Sequence, residues 1–358
     1  MLRSKIGGIG YYVPENVVTN DDLAKMMDTS DEWVQERTGI KERRYAKKHE
    51  ETTTTMGTAA ARIAIEKAGI TPEEVDFIIF ATLSPDYYFP GSGVLLQREL
   101  GITKTEIGAL DIRNQCSGFI YGLSIADQFV KSGMYKNVLL VGAEMHSMGL
   151  DFSTPGRNVT VIFGDGAGAA VIQPAEEGEE GILTTKLHSD GTYAEKLAFI
   201  SPGSHGGYHA KKLGTGTEED FGFDKSLEYG EIYATQKMLD DRQLYPQMEG
   251  QFVFKLAVTK FPEVIHEALQ ETGLKTSDIN MLIPHQANLR ISQFVQKRLG
   301  LENHQVYNNI HKYGNTTAAS IPIALCEAIE TGKVKKGDLV CLAAFGSGFT
   351  WGSALLRW

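Results

Sequence analysis

Cysteine is scarce, with three in 358 residues. The number is odd and no Cys-x-x-Cys pair occurs, which argues against a disulfide framework or a structural zinc site and suits a reducing compartment. A cytoplasmic protein without a bound metal or other cofactor is the expectation. Long apolar runs are also missing. No stretch approaches the roughly 18 residues needed to cross a bilayer, and Met1-Leu2-Arg3-Ser4-Lys5-Ile6-Gly7 lacks the apolar centre of a secretion signal, so neither membrane insertion nor export is expected. Positive charge is short as well: 35 Lys and Arg stand against 45 Asp and Glu, a formal charge of −10. Such a surface has no general means of displacing counterions from a nucleic acid, and an acidic partner would need a local basic patch.

What is present is an ordinary globular composition, 42% hydrophobic and 22% charged, in a chain long enough for two packed halves. The most informative stretch is Asp111-Ile112-Arg113-Asn114-Gln115-Cys116-Ser117-Gly118-Phe119-Ile120-Tyr121-Gly122-Leu123. A short apolar strand leads into it from Ile107, and Phe119, Leu123, Ala126 and Val130 recur at helical spacing until Ser132-Gly133 ends the helix. Cys116 therefore falls in the first helical turn, where unpaired backbone N–H groups and the positive end of the helix dipole favour a thiolate. A free cysteine is more often a small core side chain. Cys326 and Cys341, inside apolar runs, read that way.

The chain contains a repeat. Ala64, Gly69, Ile70, Val75, Phe77 and Ile79 match Ala268, Gly273, Leu274, Ile279, Met281 and Ile283 at an offset of 204 (273 − 69). A second register aligns Gln115-Cys116-Ser117-Gly118 with Gly314-Asn315-Thr316-Thr317, each opening an apolar helix that ends at Gly133 or Gly332. On this register Asn315 is the counterpart of Cys116. Two pseudo-symmetric α/β halves follow, residues 1–175 and 176–358, with the second carrying an irregular excursion at about 205–250. The polar stretch from Glu176 to about Gly250 reads as a connector. Val159 to Phe163 and Ala167 to Ile172 read as two strands around a glycine-rich turn, and Leu339 to Leu356 as a strand, a turn and a returning strand.

His285 follows the apolar strand Met281-Leu282-Ile283 and precedes a helix, the position at which α/β proteins place ligands. Cys116, His285 and Asn315 thus supply a nucleophile, an imidazole and an amide in chain order. On the helix after Ala287, Ile291, Phe294, Val295 and Leu299 recur at core spacing, leaving Arg290, Lys297 and Arg298 on the outer face, with Lys255 earlier in the same half.

These motifs together resemble the β-ketoacyl-acyl-carrier-protein synthase III family of the thiolase superfamily. The resemblance runs nearly end to end, through Asp28-Thr29-Ser30-Asp31-Glu32-Trp33, Arg37-Thr38-Gly39-Ile40, Phe163-Gly164-Asp165-Gly166-Ala167-Gly168-Ala169, Pro284-His285-Gln286-Ala287-Asn288-Leu289-Arg290, Gly314-Asn315-Thr316 and Gly348-Phe349-Thr350-Trp351-Gly352. It implies a five-layer α-β-α-β-α fold, a homodimer, and decarboxylating condensation of an acyl-CoA-derived acyl group with malonyl-acyl-carrier protein. Cys116 would carry the acyl group, while His285 and Asn315 would stabilise the enolate. The N–H groups of Cys116 and Ser347 would hold oxyanions, and Phe345 would lie by the malonyl carboxylate. Trp33, Arg37 and Arg157 would bind CoA, and Phe89, in the loop Pro85-Asp86-Tyr87-Tyr88-Phe89-Pro90, would close the partner's acyl channel.

Three features depart from the family pattern: the bulky Arg113-Asn114-Gln115 before the cysteine, Ser347 in place of a glycine, and the long excursion. All bear on the acyl substrate. Head-to-head acyl condensation or acyl transfer to another acceptor are the alternatives within the superfamily. A Cys-His-Asn peptidase is a remote one, disfavoured because such enzymes are secreted and disulfide-bonded.

Overall fold

The structure, a computed structural model, describes residues 3–104, 106–179, 181–200, 202–203, 236–240 and 242–358. Strand β1 (Ser4–Tyr12) begins the chain, and β2 (Val17–Thr19) and β3 (Glu42–Arg44) form a small antiparallel pair. With β4 (Phe77–Ala81), β5 (Gly108–Ile112), β6 (Val138–Glu144) and β7 (Gly166–Pro174), β1 builds a five-stranded sheet of order β1-β7-β6-β4-β5. After β8 (Gly181–Ser189), the short strands β9 (Leu197–Ala198) and β10 (Gln247–Met248) pair with each other. Strands β11 (Met281–Pro284), β12 (Leu339–Gly346) and β13 (Thr350–Arg357) complete a four-stranded sheet of order β11-β12-β13-β8. A parallel bridge between Leu282 and Val306 marks where this sheet would have a counterpart of β5.

The helices make the remaining layers. Gly118–Lys131 and Ser320–Glu330 lie between the sheets, where Phe119, Leu123, Ile321 and Leu325 share one buried cluster with Ile79 and Leu140 from one sheet and Ile283 and Leu342 from the other. Both helices are apolar on most of their surface because they are covered on two sides. Thr53–Lys67 and Ser92–Leu100 cover the outer face of the first sheet, and Gly250–Thr272 and Leu289–Leu299 that of the second. The result is the α-β-α-β-α sandwich.

Close approach of the central helices to the sheets depends on glycine. A Cβ on Gly142 would stand 2.5 Å from the Ala318 carbonyl oxygen, and one on Gly168 2.6 Å from Pro322 Cγ. Both lie in apolar strands, so these positions read as core in the sequence; the absence of a side chain is what admits the second helix.

The 204 offset carries through: Gly69 and Gly273, at the ends of the preceding helices, both take positive φ, and the turns Pro72–Glu74 and Thr276–Asp278 and the strands β4 and β11 follow them. The second register fails at its start. The one-turn 3-10 helix Gln115–Ser117 precedes Gly118, and its structural match is Thr317–Ala319 before Ser320. Gln115 and Thr317 even share a left-handed backbone, with φ of 42° and 49°. The counterpart of Cys116 is therefore Ala318, not Asn315. The helix ends keep the offset of 199 (332 − 133), while the starts are 202 apart (320 − 118), because the first helix has 14 residues and the second 11.

Two other expectations give way. Arg157–Thr160 is a single helical turn, so the glycine-rich segment joins a helix to β7 and not two strands. The polar stretch after Glu176 hides β8, a nine-residue strand paired with β13 along its length except for a bulge at Leu183. Its half-buried pattern lacks a continuous apolar run. Of the 205–250 excursion, 205–235 and 241 lie outside the described residues; the rest holds a helix at Gln236–Asp240 and the strand β10.

Candidate active site

The two 3-10 turns meet at the centre of the molecule. A Cβ on Gly118 would sit 3.4 Å from Ala318 Cβ, in ordinary contact. From there the site is built by short connections. Cys116 faces Gly346 at the end of β12, where an added Cβ would lie 2.4 Å from Cys116 Cβ and 2.9 Å from its Sγ. Ser117 Oγ is 2.7 Å from Thr350 Oγ1, which ties the cysteine turn to β13.

His285 continues β11, donating its N–H to the Ala343 carbonyl (2.8 Å). Its Nδ1 is 2.6 Å from Ser320 Oγ, in the first turn of the second central helix. The Gln286 N–H also reaches Ser320 Oγ at 3.4 Å. Ser320 Oγ can accept from Gln286 and still donate its own proton to Nδ1, and in that tautomer the His285 proton sits on Nε2. That Nε2 is buried and has no partner among the described residues. Burial holds the imidazole neutral by pushing its pKa down to about 3.

Asn315 is fixed by its backbone: its N–H donates to the Ile162 carbonyl (2.9 Å), and its carbonyl accepts from Gly164 N–H (3.1 Å). Its side-chain Oδ1 accepts from the Thr317 N–H at 2.8 Å. Because only the oxygen of the amide can accept, this bond sets the orientation of the group and leaves Nδ2 as the free donor end. Asn315 and His285 are thus tied to the turn Thr317–Ala319 and to Ser320 just after it, and that turn packs against the start of the helix that follows Cys116.

The thiol does not behave as its helical position suggests. Burial pushes the pKa of Cys116 up to about 12, with the Glu144 carboxylate adding to the shift; the backbone N–H groups of Ser347 and Cys116 work against both. Desolvation of an anion outweighs the donors at a helix start. The resting group is a thiol on which two N–H groups converge. Ser347 itself is anchored by its hydroxyl, which donates to the Leu197 carbonyl of β9. Phe345 is buried with ring centroids 5.0 Å from Phe349 and 6.3 Å from Trp351.

Glu144 carries no assigned role in the sequence reading, although a carboxylate ending an apolar strand is a visible signal. It is fully buried at the end of β6 and accepts from Ser84 Oγ (2.6 Å), Thr82 Oγ1 and the Leu83 and Ser84 N–H groups. These bonds hold the start of the loop that leads to Phe89. Burial nevertheless pushes its pKa up to about 7. Gly346 and Ser320 were also missed. Gly346 stands in a visible glycine cluster, whereas nothing in sequence marks Ser320.

The predicted outer residues are placed as follows. Trp33 lies under two guanidinium groups, Arg37 at 4.5 Å and Arg157 at 5.0 Å from the ring centroid. Arg157 also donates to the Asp28 carbonyl. Phe89 is 82% exposed beside exposed Tyr87 and Tyr88. Arg290, Lys297, Arg298 and Lys255 are all exposed, and none is ion-paired among the described residues. Phe294, placed in the core by spacing, is 42% exposed. It stands between Arg290 and Lys297 on the outer face, because Ser292 takes the inward position instead.

Comparison with known proteins agrees with this architecture. Residues 110–191 match the family model for 3-oxoacyl-[acyl-carrier-protein] synthase III, and residues 269–358 match the model for its C-terminal part. The chain is 44% identical over 357 residues to the β-ketoacyl-[acyl-carrier-protein] synthase III of Aquifex aeolicus, with all of both chains covered. It is 44% identical over 361 residues to that of Rhodospirillum centenum, covering 100% of this chain and 99% of the relative. The crystal structure of the Aquifex aeolicus enzyme superposes with a TM-score of 0.83 over 99% of this chain and all of that one. The sandwich of paired halves around a central cysteine is that of the thiolase-like condensing enzymes. Within that class the chain belongs to the 3-oxoacyl-[acyl-carrier-protein] synthase III family and is an acyltransferase.

Glu144 gives a pH test. Its pKa lies near 7 in the folded protein against a reference of 4.5, so between those values the folded state holds the extra proton and loses stability as pH rises. Glu144→Gln removes that equilibrium. In denaturant unfolding, the stability of wild type relative to Glu144→Gln should fall between pH 4.5 and 7, by up to about 3 kcal/mol, and level off above pH 8. A difference independent of pH would show that Glu144 is ionised throughout.

Proposed function

We propose that Cys116, His285 and Asn315 perform the initiating condensation of fatty-acid synthesis, joining an acyl group from acyl-CoA to malonyl-acyl-carrier protein. The observation that carries this reading is the buried Nε2 of a neutral His285, without a partner among the described residues, together with an Asn315 amide whose oxygen is already engaged. Two neutral donors of this kind suit a carbonyl oxygen that becomes negative during reaction.

In the first half-reaction the Cys116 sulfur attacks the acyl-CoA carbonyl. The oxyanion takes the Cys116 and Ser347 N–H groups, which point at Sγ in the resting site. Collapse expels the CoA sulfur, which takes up the proton lost by Cys116, and leaves an acyl-cysteine. Stabilisation of the intermediate replaces the thiolate that the buried site does not maintain at rest.

In the second half-reaction His285 Nε2–H and Asn315 Nδ2–H donate to the thioester oxygen of malonyl-acyl-carrier protein. Carbon dioxide leaves, the enolate carbon attacks the acyl-cysteine carbonyl, and the Cys116 sulfur departs as a thiolate that takes a proton from water. Apolar walls at Phe345 favour loss of a charged carboxylate, because that charge is poorly solvated there. The acyl chain and the carrier are substrates, and no bound cofactor is required.

Trp33, Arg37 and Arg157 suit the CoA nucleotide: a flat ring to stack on an adenine, with cations for phosphate. Arg290, Lys297, Arg298 and Lys255 form a cationic face around exposed Phe294, a surface suited to an acidic carrier protein on an enzyme of net charge −10. Homodimerisation fits the unpaired edge of β5, with exposed Leu110, beside the Tyr87-Tyr88-Phe89 aromatic cluster. A cytoplasmic setting fits three free cysteines.

Cys116→Ala should abolish acyl loading, read as added mass on the intact protein after incubation with acyl-CoA. His285→Ala and Asn315→Ala should load but release no carbon dioxide from malonyl-acyl-carrier protein; loss of loading in a folded Asn315→Ala protein would defeat this division. Arg290→Glu should reduce kcat/KM for malonyl-acyl-carrier protein by about tenfold, roughly 1.4 kcal/mol, with much less effect when malonyl-CoA is the donor. An equal loss with both donors would place the damage in the site. In solution the protein should sediment as a dimer, and Phe89→Ala should alter its acyl-CoA chain-length profile; an unchanged profile would remove Phe89 from the channel.

A further inference from the structure

The loop carrying Asn315 is braced by a buried pair that takes no part as reactants. Thr317 has φ of 49°, in the left-handed region that a β-branched residue rarely occupies. In that conformation its N–H meets Asn315 Oδ1 at 2.8 Å. Its Oγ1 lies 2.6 Å from His146 Nε2, and both side chains are buried. The His146 ring also packs on Phe163, with centroids 4.6 Å apart. Phe163 in turn bridges to Asn315 through the backbone. One imidazole therefore supports the Asn315 segment from two sides.

The turn that holds His146 is itself fixed. Asp165 accepts from the Ser147 N–H (2.9 Å) and Ser147 Oγ, and from the Ala46 N–H (2.7 Å). Burial keeps His146 neutral, pushing its pKa down to about 3. In either tautomer such a ring gives Thr317 one hydrogen bond, as donor or as acceptor.

We propose that His146 and Thr317 are positioning residues for the condensation: their hydrogen bond holds residue 317 left-handed, which aims its N–H at Asn315 Oδ1 and so presents Asn315 Nδ2 to the donor thioester. The proposal rests on the role assigned to Asn315 above. It depends on backbone conformation and not on the hydroxyl as such. Glycine takes positive φ without a side-chain anchor, whereas valine keeps the β-branch and loses the anchor.

The test uses the full-length protein with two readouts, acyl loading of Cys116 by intact mass and carbon dioxide release from malonyl-acyl-carrier protein. His146→Leu and Thr317→Val should load normally and lose about tenfold in decarboxylation kcat, with KM little changed, as expected for a misplaced donor. Combining His146→Leu with Thr317→Gly should recover most of that loss. A double variant as slow as His146→Leu would overturn the proposal, as would a wild-type kcat in His146→Leu. Should His146→Leu fail to fold, Thr317→Gly against Thr317→Val decides: a gain of about fivefold for glycine is expected, and equal rates would refute it. Asn315→Ala separates the two levels. If it decarboxylates at the wild-type rate, the reading of Asn315 itself fails; if it is inactive while His146→Leu is unaffected, only the positioning pair falls.

Discussion

Everything at the centre of this molecule depends on main chains approaching where a Cβ would not fit. Gly346 admits Cys116 and Gly142 admits the Ala318 carbonyl. The two contacts let a turn from each half meet between the sheets, with Cys116 on one turn and Asn315 hydrogen-bonded to the other. Substituting either glycine would not remove a functional atom, yet it would separate the functional atoms from one another. The sandwich supplies the other requirement, since two sheets with helices on both faces exclude water from the point of contact.

Exclusion of water sets the electrical character of the site. Each ionisable group there is pushed toward its neutral form: the Cys116 thiol up to about 12, and His146 and His285 down to about 3. Charge present at rest would be costly in such a medium. Charge formed during reaction meets donors already in place, which need no reorganisation. A buried Nε2 without a partner among the described residues is a standing cost in the resting protein.

Cys116 and His285 were legible in sequence because each follows an apolar strand and precedes a helix, and both the strand and the helix have clear periodic signatures. The 204 offset was equally clear, since Gly69 and Gly273 punctuate it. Asn315 enters as a candidate through a register that the structure revises, with Ala318 in the place matching Cys116. The error arose because both helix ends were aligned by Gly133 and Gly332 while the helices differ in length. Thr317, His146 and Ser320 were illegible for a different reason. They act through contacts between residues far apart in the chain, and φ at Thr317 has no signature in a Thr-Thr pair. Phe294 shows the limit of spacing arguments: a phenylalanine in phase with Ile291 and Val295 nonetheless faces outward, where its neighbours are cations.

The three-residue difference between the central helices has a further meaning. Three residues are most of one α-helical turn, about 4.5 Å of axial length. The second half leaves that turn unwound, and the released chain holds Asn315 ahead of the turn Thr317–Ala319. Had the two halves kept identical lengths, residue 315 would sit in the one-turn 3-10 helix, at the place Cys116 holds in the first half. The two copies thus differ in length as well as in residue type, so an insertion that restored perfect internal symmetry would draw Asn315 into that turn while leaving every residue of the candidate site in the chain.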